Sequence, residues 1–269
     1  MARGFHSRRG GAFATIACAL VAVAFLGLLG VAGVIRSAGQ LLTDQRTGCP
    51  ATGHVSLTVV GIDSSDPLVP QNKEMLRGVV EEGAVGQRGS RVIIARLSGS
   101  SDYRPEILFD RCHPGAGSDG TSATEGSAEI QDRFDREFAA PLATAMERLG
   151  RPGPESPRSH LTGTLERMVS DPALDLNRGE RTLILLSDLI EHTEASRPYT
   201  DGVVRLPTPP ERFLSGIHLR LVELPARGEA VRLQTHASRS AWREWCSLAG
   251  AQSCTVAAPG LLALELRRD

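Results

Sequence analysis

Two apolar runs each end in a hydroxyl and a carboxylate, and these are the residues most suited to chemistry. Residues 55–62 run into Asp63-Ser64-Ser65-Asp66-Pro67, and residues 182–186 run into Ser187-Asp188. Carboxylate and hydroxyl oxygens suit a hard divalent cation, which prefers oxygen donors and tolerates water in its shell. Ligands collect beyond the carboxyl ends of parallel strands in open α/β sheets, so both groups share a rim if their strands are neighbours.

Several elements must position them. Residues 55–62 are short, apolar and rich in β-branched side chains, which predicts a strand. Residues 71–82 follow with Met75, Leu76, Val79 and Val80 at helical spacing. Residues 91–97 read as a second strand, and residues 105–110 as a short edge strand because of the leading Pro105. A Gly/Ser-rich stretch, 114–127, reads as a loop. Ile130, Phe134, Phe138, Leu142, Ala145, Met146 and Leu149 then form one amphipathic face, which Pro141 must kink or divide.

A short helix over 161–169 leads to the strand 182–186. Residues 217–224 alternate clearly and predict a strand, and residues 240–249 put Trp242, Trp245 and Leu248 on one helical face, with the two Trp in the core. Residues 261–266 predict a closing strand. Strands alternating with helices imply an α/β fold: an open, mostly parallel, doubly wound sheet with helices on both faces.

Ahead of this domain, residues 12–35 are 24 consecutive residues without a charge, about 36 Å as a helix and long enough to span a bilayer. Arg3, Arg8 and Arg9 precede the run, and Arg36 alone follows closely. That asymmetry predicts a cytoplasmic N-terminus and an extracytoplasmic remainder on the periplasmic side of the inner membrane. The competing reading is a cleaved signal peptide, whose apolar region is normally about 7–15 residues. The expected organisation is a tail (1–11), a transmembrane anchor (12–35), a stalk (36–53) and one α/β domain (54–269).

Cysteine usage agrees with export. Cys18 lies in the apolar span, while Cys49, Cys112, Cys246 and Cys254 follow it, an even number in an oxidising compartment. Of three possible pairings, Cys246 with Cys254 and Cys49 with Cys112 is preferred: the first two are close in sequence, and the second pair ties down the start of the domain. Zinc is disfavoured by the lack of a Cys-x-x-Cys or a nearby His pair. A net charge of −1 without a basic cluster argues against nucleic acid as a partner.

Taken together, these segments resemble the von Willebrand factor A family. The resemblance covers roughly residues 55–266. It rests on Asp63-Ser64-Ser65-Asp66-Pro67 as the ligand turn, Ser159-His160-Leu161-Thr162-Gly163-Thr164-Leu165 as the segment that brings a later hydroxyl, and Asp188 after Leu185-Leu186-Ser187. It implies a metal-ion-dependent adhesion site for Mg2+ or Mn2+, with Asp63, Ser65, Ser159 and Asp188 as ligands. It also implies a protein partner whose acidic group takes a remaining coordination position.

The chain departs from the family at Pro67, which stands at the third ligand place of the turn and has neither a hydroxyl nor an N–H to offer. Asp66 is read first as the cap of a helix beginning at Pro67, and alternatively as a ligand through water. Outside the ligand set, Ser159 is equally suited to capping its helix, and His160, Glu191 and His192 read as solvated loop residues near the rim. The proline-containing stretch 191–215 reads either as an interaction loop or as a disordered insertion.

Two further functional classes remain beside a binding module. One is a structural subunit of an envelope complex that holds no metal. The other is a phosphatase of the haloacid dehalogenase type. For that chemistry the general acid falls on Ser65, which cannot serve, and the lysine on Lys73, the only lysine among 30 basic residues and too close behind Asp63. An enzyme is therefore not the expected reading.

Overall fold

Six strands pair into one sheet in the order β3-β2-β1-β4-β5-β6: β1 Ser56–Asp63, β2 Arg91–Leu97, β3 Glu106–Cys112, β4 Glu180–Ser187, β5 His218–Glu223 and β6 Ser253–Ala257. The structure is a computed structural model that describes residues 44–63, 78, 87–97, 105–119, 126–149, 158–174, 176 and 180–257. Every strand pair is parallel except β2 with β3, which is antiparallel. This is the open, mostly parallel, doubly wound sheet implied by the sequence, with the proline-led strand at its edge.

A central parallel strand is covered on both faces, so it reads as a continuous apolar run instead of an alternating one. β1 shows this: Leu57 and Val59 enter one core layer, while Val60 and Ile62 enter the other. On the first face the sheet packs against α3 (Leu161–Ser170) through Leu161, Leu165 and Met168, and against α5 (His236–Leu248) through Trp242, Trp245 and Cys246. On the second, Phe138, Ala145 and Leu149 come from a helical stretch comprising α1 (Ser127–Phe134), a π-turn segment (Asp135–Ala139) and α2 (Ala140–Leu149). The widened turns immediately precede Pro141 and absorb its missing N–H and its ring, so the chain stays helical through a position expected to kink or divide it.

One close approach matters for the site. Gly61, two residues before the end of β1 on the α3 face, lets Met168 lie against the sheet; a Cβ there would stand 3.1 Å from Met168 Cε. The absent side chain draws α3 down beside the end of β1.

Several expectations need correction. Leu248 is 59% exposed, and Cys246 and Ala249 take the place beside Trp242 and Trp245 that it was expected to hold. Leu248 lies six residues beyond Trp242, about 120° round the helix from it, whereas Cys246 and Ala249, four beyond Trp242 and Trp245, stay on the buried face. The helix begins earlier than expected, at His236, where Thr235 Oγ1 accepts a bond from Ser238 N at 3.1 Å.

The stretch 191–215 is an ordered segment, not a disordered insertion. It contains the turn of helix α4 (Pro198–Asp201), buries Leu214, packs Leu206 and Phe213 on the core, and its Pro207 carbonyl accepts from Trp245 Nε1 at 2.9 Å. β6 is a strand the sequence pattern did not reveal. The expected strand 261–266, the anchor 12–35 and, apart from Gly78, the helix 71–82 lie outside the described residues. Among the described residues no helix is long and apolar enough to cross a membrane.

The chain divides into two units, Met1–Asp44 and Gln45–Asp269, and the sheet belongs to the second. Both preferred disulfides are present, Cys49–Cys112 and Cys246–Cys254. The first joins a segment that already lies on the β3 edge, where Cys112 N donates to Thr47 O at 2.7 Å and Arg46 pairs with Asp110.

Closing 63 residues restricts the unfolded chain more than closing 8. Loop entropy puts the two contributions at about 4 and about 2.5 kcal/mol. Urea unfolding of Cys49→Ala/Cys112→Ala should therefore show the larger loss of stability, and the reverse order against Cys246→Ala/Cys254→Ala would contradict this account.

Candidate functional site

β1 and β4 are parallel neighbours with Ile62 opposite Leu186, so Asp63 and Ser187 leave the sheet side by side. Both follow the alternation of the α3 face, after Leu57 and Val59 on one strand and Leu183 and Leu185 on the other. Ser187 Oγ donates to Asp63 Oδ2 at 3.0 Å, and Ser159 Oγ donates to the same oxygen at 3.3 Å. Two hydroxyls from distant parts of the chain thus converge on one carboxylate.

Asp188 is one hydroxyl away. Its Oδ1 lies 3.4 Å from Ser187 Oγ and accepts from Ile190 N at 3.0 Å, an Asx-type turn. The one proton of Ser187 serves Asp63 at the shorter distance. The Ser187 oxygen in turn accepts from Leu189 N at 3.1 Å. Of the expected ligands, Asp63 and Ser159 meet directly, Asp188 joins them through Ser187, and Ser65 lies outside the described residues, as do Asp66 and Pro67.

The turn after β4 is fixed in an unusual conformation. Leu189 is buried with φ of 58°, a left-handed backbone that costs a non-glycine residue about 1–3 kcal/mol. Its surroundings hold it there. Trp242 Nε1 donates to Leu189 O at 2.8 Å, and Gln234 Nε2 bridges Asp188 O at 3.1 Å and Leu224 O at 2.7 Å. The buried Trp thus fixes the site's turn as well as filling the core.

Ser159 does not cap its helix. The N-cap position is His160, which makes no side-chain capping bond. Ser159 instead exchanges two backbone bonds with His192, at 3.0 and 2.8 Å, forming an isolated antiparallel bridge. The capping is done from across the site by Glu191, whose Oε2 accepts from Thr162 N and whose Oε1 accepts from Thr162 Oγ1, both at 3.0 Å.

Glu191 is only 1% exposed, which corrects its reading as a solvated loop residue. Burial pushes its carboxyl up to about 7 against the pull of the Thr162 bonds. The available signal was an acid placed directly after the apolar pair Leu189-Ile190, four residues beyond the strand. His160 is shifted down, chiefly by burial and then by Arg158. His192 lies edge-on to Tyr199, with ring centroids 5.2 Å apart.

A further buried acid stands in the next strand. Ser187 is opposite Glu223 on β5, so Asp63, Ser187 and Glu223 form one row across three strand ends. Glu223 Oε2 accepts from Arg239 Nη1 at 2.7 Å, while Oε1 makes no hydrogen bond among the described residues. Burial raises the Glu223 carboxyl against the pull of Arg239.

The donor set at Asp63 is all oxygen, two carboxylates and two hydroxyls, and this chemistry fits a hard cation. Among the described residues no group of three or more His, Cys, Asp or Glu is placed to hold a metal, so a cation here depends on hydroxyls and water for the rest of its shell.

No family model and no curated protein matches the chain. Among solved structures, an aerotolerance-related membrane protein from Bacteroides fragilis is 10% identical, with 80% of this chain and 100% of that one covered at a TM-score of 0.40. BatB from Bacteroides thetaiotaomicron is 9% identical, with 78% and 94% covered at 0.42. The manganese-loaded TRAP protein of Plasmodium vivax is 13% identical, with 80% and 72% covered at 0.40. Likeness of this size carries no functional argument. The strand order and the antiparallel edge strand give an open, mostly parallel α/β sheet of the type that the von Willebrand factor A resemblance implies.

Glu191 makes the domain's stability depend on pH. Its carboxyl titrates near 4.5 in the ordinary state and near 7 in the fold, so the folded protein holds the proton more tightly. The resulting stabilisation is complete below the unfolded value and is lost as pH rises through the folded one. Between pH 4.5 and 8, the unfolding free energy of wild type relative to Glu191→Gln should fall by up to about 3 kcal/mol. Urea titrations across this range check it, and parallel curves for the two proteins would refute the assignment.

Proposed function

We propose that this chain is a membrane-anchored, extracytoplasmic binding module that recognises a protein partner through its sheet rim, with Mg2+ or Mn2+ held there. The observation that carries the reading is the convergence of Ser159 and Ser187 on Asp63 Oδ2, from segments 96 and 124 residues away in sequence. Asp188 adds a second carboxylate one hydroxyl further on. Asp63, Ser65, Ser159 and Asp188 are the proposed ligands, with Ser187 as a further candidate because its hydroxyl meets Asp63.

When bound, the cation supplies a Lewis-acidic centre that can accept an acidic group of the partner. The protein's own residues orient the oxygens at the strand-end rim, where Asp63, Ser159 and Asp188 are half-buried and Ser187 is buried. Residues 12–35 are the proposed anchor, and the two disulfides agree with an oxidising compartment beyond the membrane. The near-neutral net charge of −1 gives nucleic acid no electrostatic foothold.

One observation favours the second reading, a structural subunit without metal. Asp63 Oδ2 already accepts two hydroxyl protons, which satisfies that oxygen with no cation. Calorimetric titration of the purified full chain in detergent with Mg2+ and Mn2+ separates the two. The binding reading expects heat and a raised melting temperature in wild type, with affinity at least tenfold weaker in Asp63→Ala and Asp188→Ala. Absence of both signals in wild type leaves the structural reading. Cation-dependent hydrolysis of a generic phosphate ester that disappears in Asp63→Ala would instead establish an enzyme.

A further inference from the structure

Ser159 reaches Asp63 from a segment that has no place in the sheet, so something must hold it there. Neither residue at the start of α3 does so alone. His160 makes no side-chain cap, and the neighbouring Arg158–Glu194 pair, though 2.8 Å apart, is exposed on both sides and contributes little. Beside the packing of α3 on the sheet, two sets of hydrogen bonds tie this segment to the turn after β4, and they come from consecutive residues, Glu191 and His192.

We propose that Glu191 is the positioning residue of the rim, clamping the first turn of α3 so that Ser159 stands against Asp63. This deepens the binding reading above and rests on it. The carboxylate takes both the N–H and the hydroxyl proton of Thr162, three residues after Ser159. It lies at the helix end where N–H groups lack intrahelical partners and where negative charge is favoured. His192, adjacent in sequence, closes the second attachment through its paired backbone bonds with Ser159.

The base of the clamp is itself rigid. Ile190 is buried with Ala230 and Leu233, and Ser196 Oγ donates to Glu191 O at 3.1 Å. Glu191 therefore cannot turn to solvent without moving a packed neighbour. Glu223 is equally buried on the adjacent strand end, yet its Oε2 accepts from Arg239, and among the described residues no bond links it to the Ser159 segment. It is the natural control.

The test measures hydrogen exchange at the Ser159 and His192 amides, together with Mn2+ affinity, in the full chain in detergent. Glu191→Ala should speed exchange at both amides at least tenfold and weaken Mn2+ at least tenfold. Glu191→Gln, which keeps the shape and one acceptor, should recover part of both effects. Thr162→Val, which removes one donor only, should show the same changes at smaller size and keeps the test open if Glu191→Ala does not fold. Glu223→Gln should leave both measurements at wild-type values.

Unchanged exchange at Ser159 and His192 in both Glu191→Gln and Thr162→Val would overturn the proposal. So would faster exchange with unchanged Mn2+ affinity, because Ser159 would then have no part in the site. If wild type binds no Mn2+, the cation reading fails on its own, and the exchange data alone decide whether Glu191 positions Ser159.

Discussion

The strand order reverses between β1 and β4, and everything at the rim follows from that reversal. The chain leaves β1 towards one edge of the sheet and leaves β4 towards the other, so the two exits diverge and open a crevice between them. Parallel pairing in register then delivers Asp63 and Ser187 to that crevice from the same face. The constraint is the backbone ladder itself. A slip of one residue in either strand would turn one of these side chains to the opposite layer and break the contact between them.

What converges on this crevice is held by buried polar bonds whose donors and acceptors are largely matched. Trp242 and Glu191 are buried and Gln234 half-buried, and each satisfies a backbone or hydroxyl group of the rim. Groups of this kind are costly to leave unpaired in a low-dielectric interior, so they favour one arrangement over its alternatives. The left-handed Leu189 is tolerated for the same reason, because its neighbours on both sides are tied to fixed elements. Gly61 contributes by absence, admitting Met168 and with it α3, whose approach carries Ser159.

Much of the fold was legible because burial leaves a periodic trace. Apolar runs such as Val59 to Ile62 marked buried parallel strands, and the 130–149 face marked the helix beneath them. β6 escaped because Ser253, Cys254 and Thr255 carry no apolar run, and its strand character comes from pairing with β5. Leu248 misled because a short helix allows more than one choice of face, and only the packed sheet decides between them. At the site, Asp63, Ser159 and Asp188 were visible as oxygen-bearing residues placed at element ends. Glu191 was not, since an acid after a strand reads as solvated until the elements that bury it are assembled.

By itself the sequence determined the α/β alternation, the apolar span of residues 12–35, the pool of oxygen donors at two strand ends and a cysteine set consistent with two bridges. These are properties of composition and local period, which do not depend on what each segment touches. Only the tertiary structure decided that β1 and β4 are neighbours, that Ser187 and Ser159 share one oxygen of Asp63, and that Glu191 caps a helix from across the rim. Those facts join residues 29 to 124 positions apart, and contacts at such separations are set by which surfaces pack together, a choice no local pattern contains.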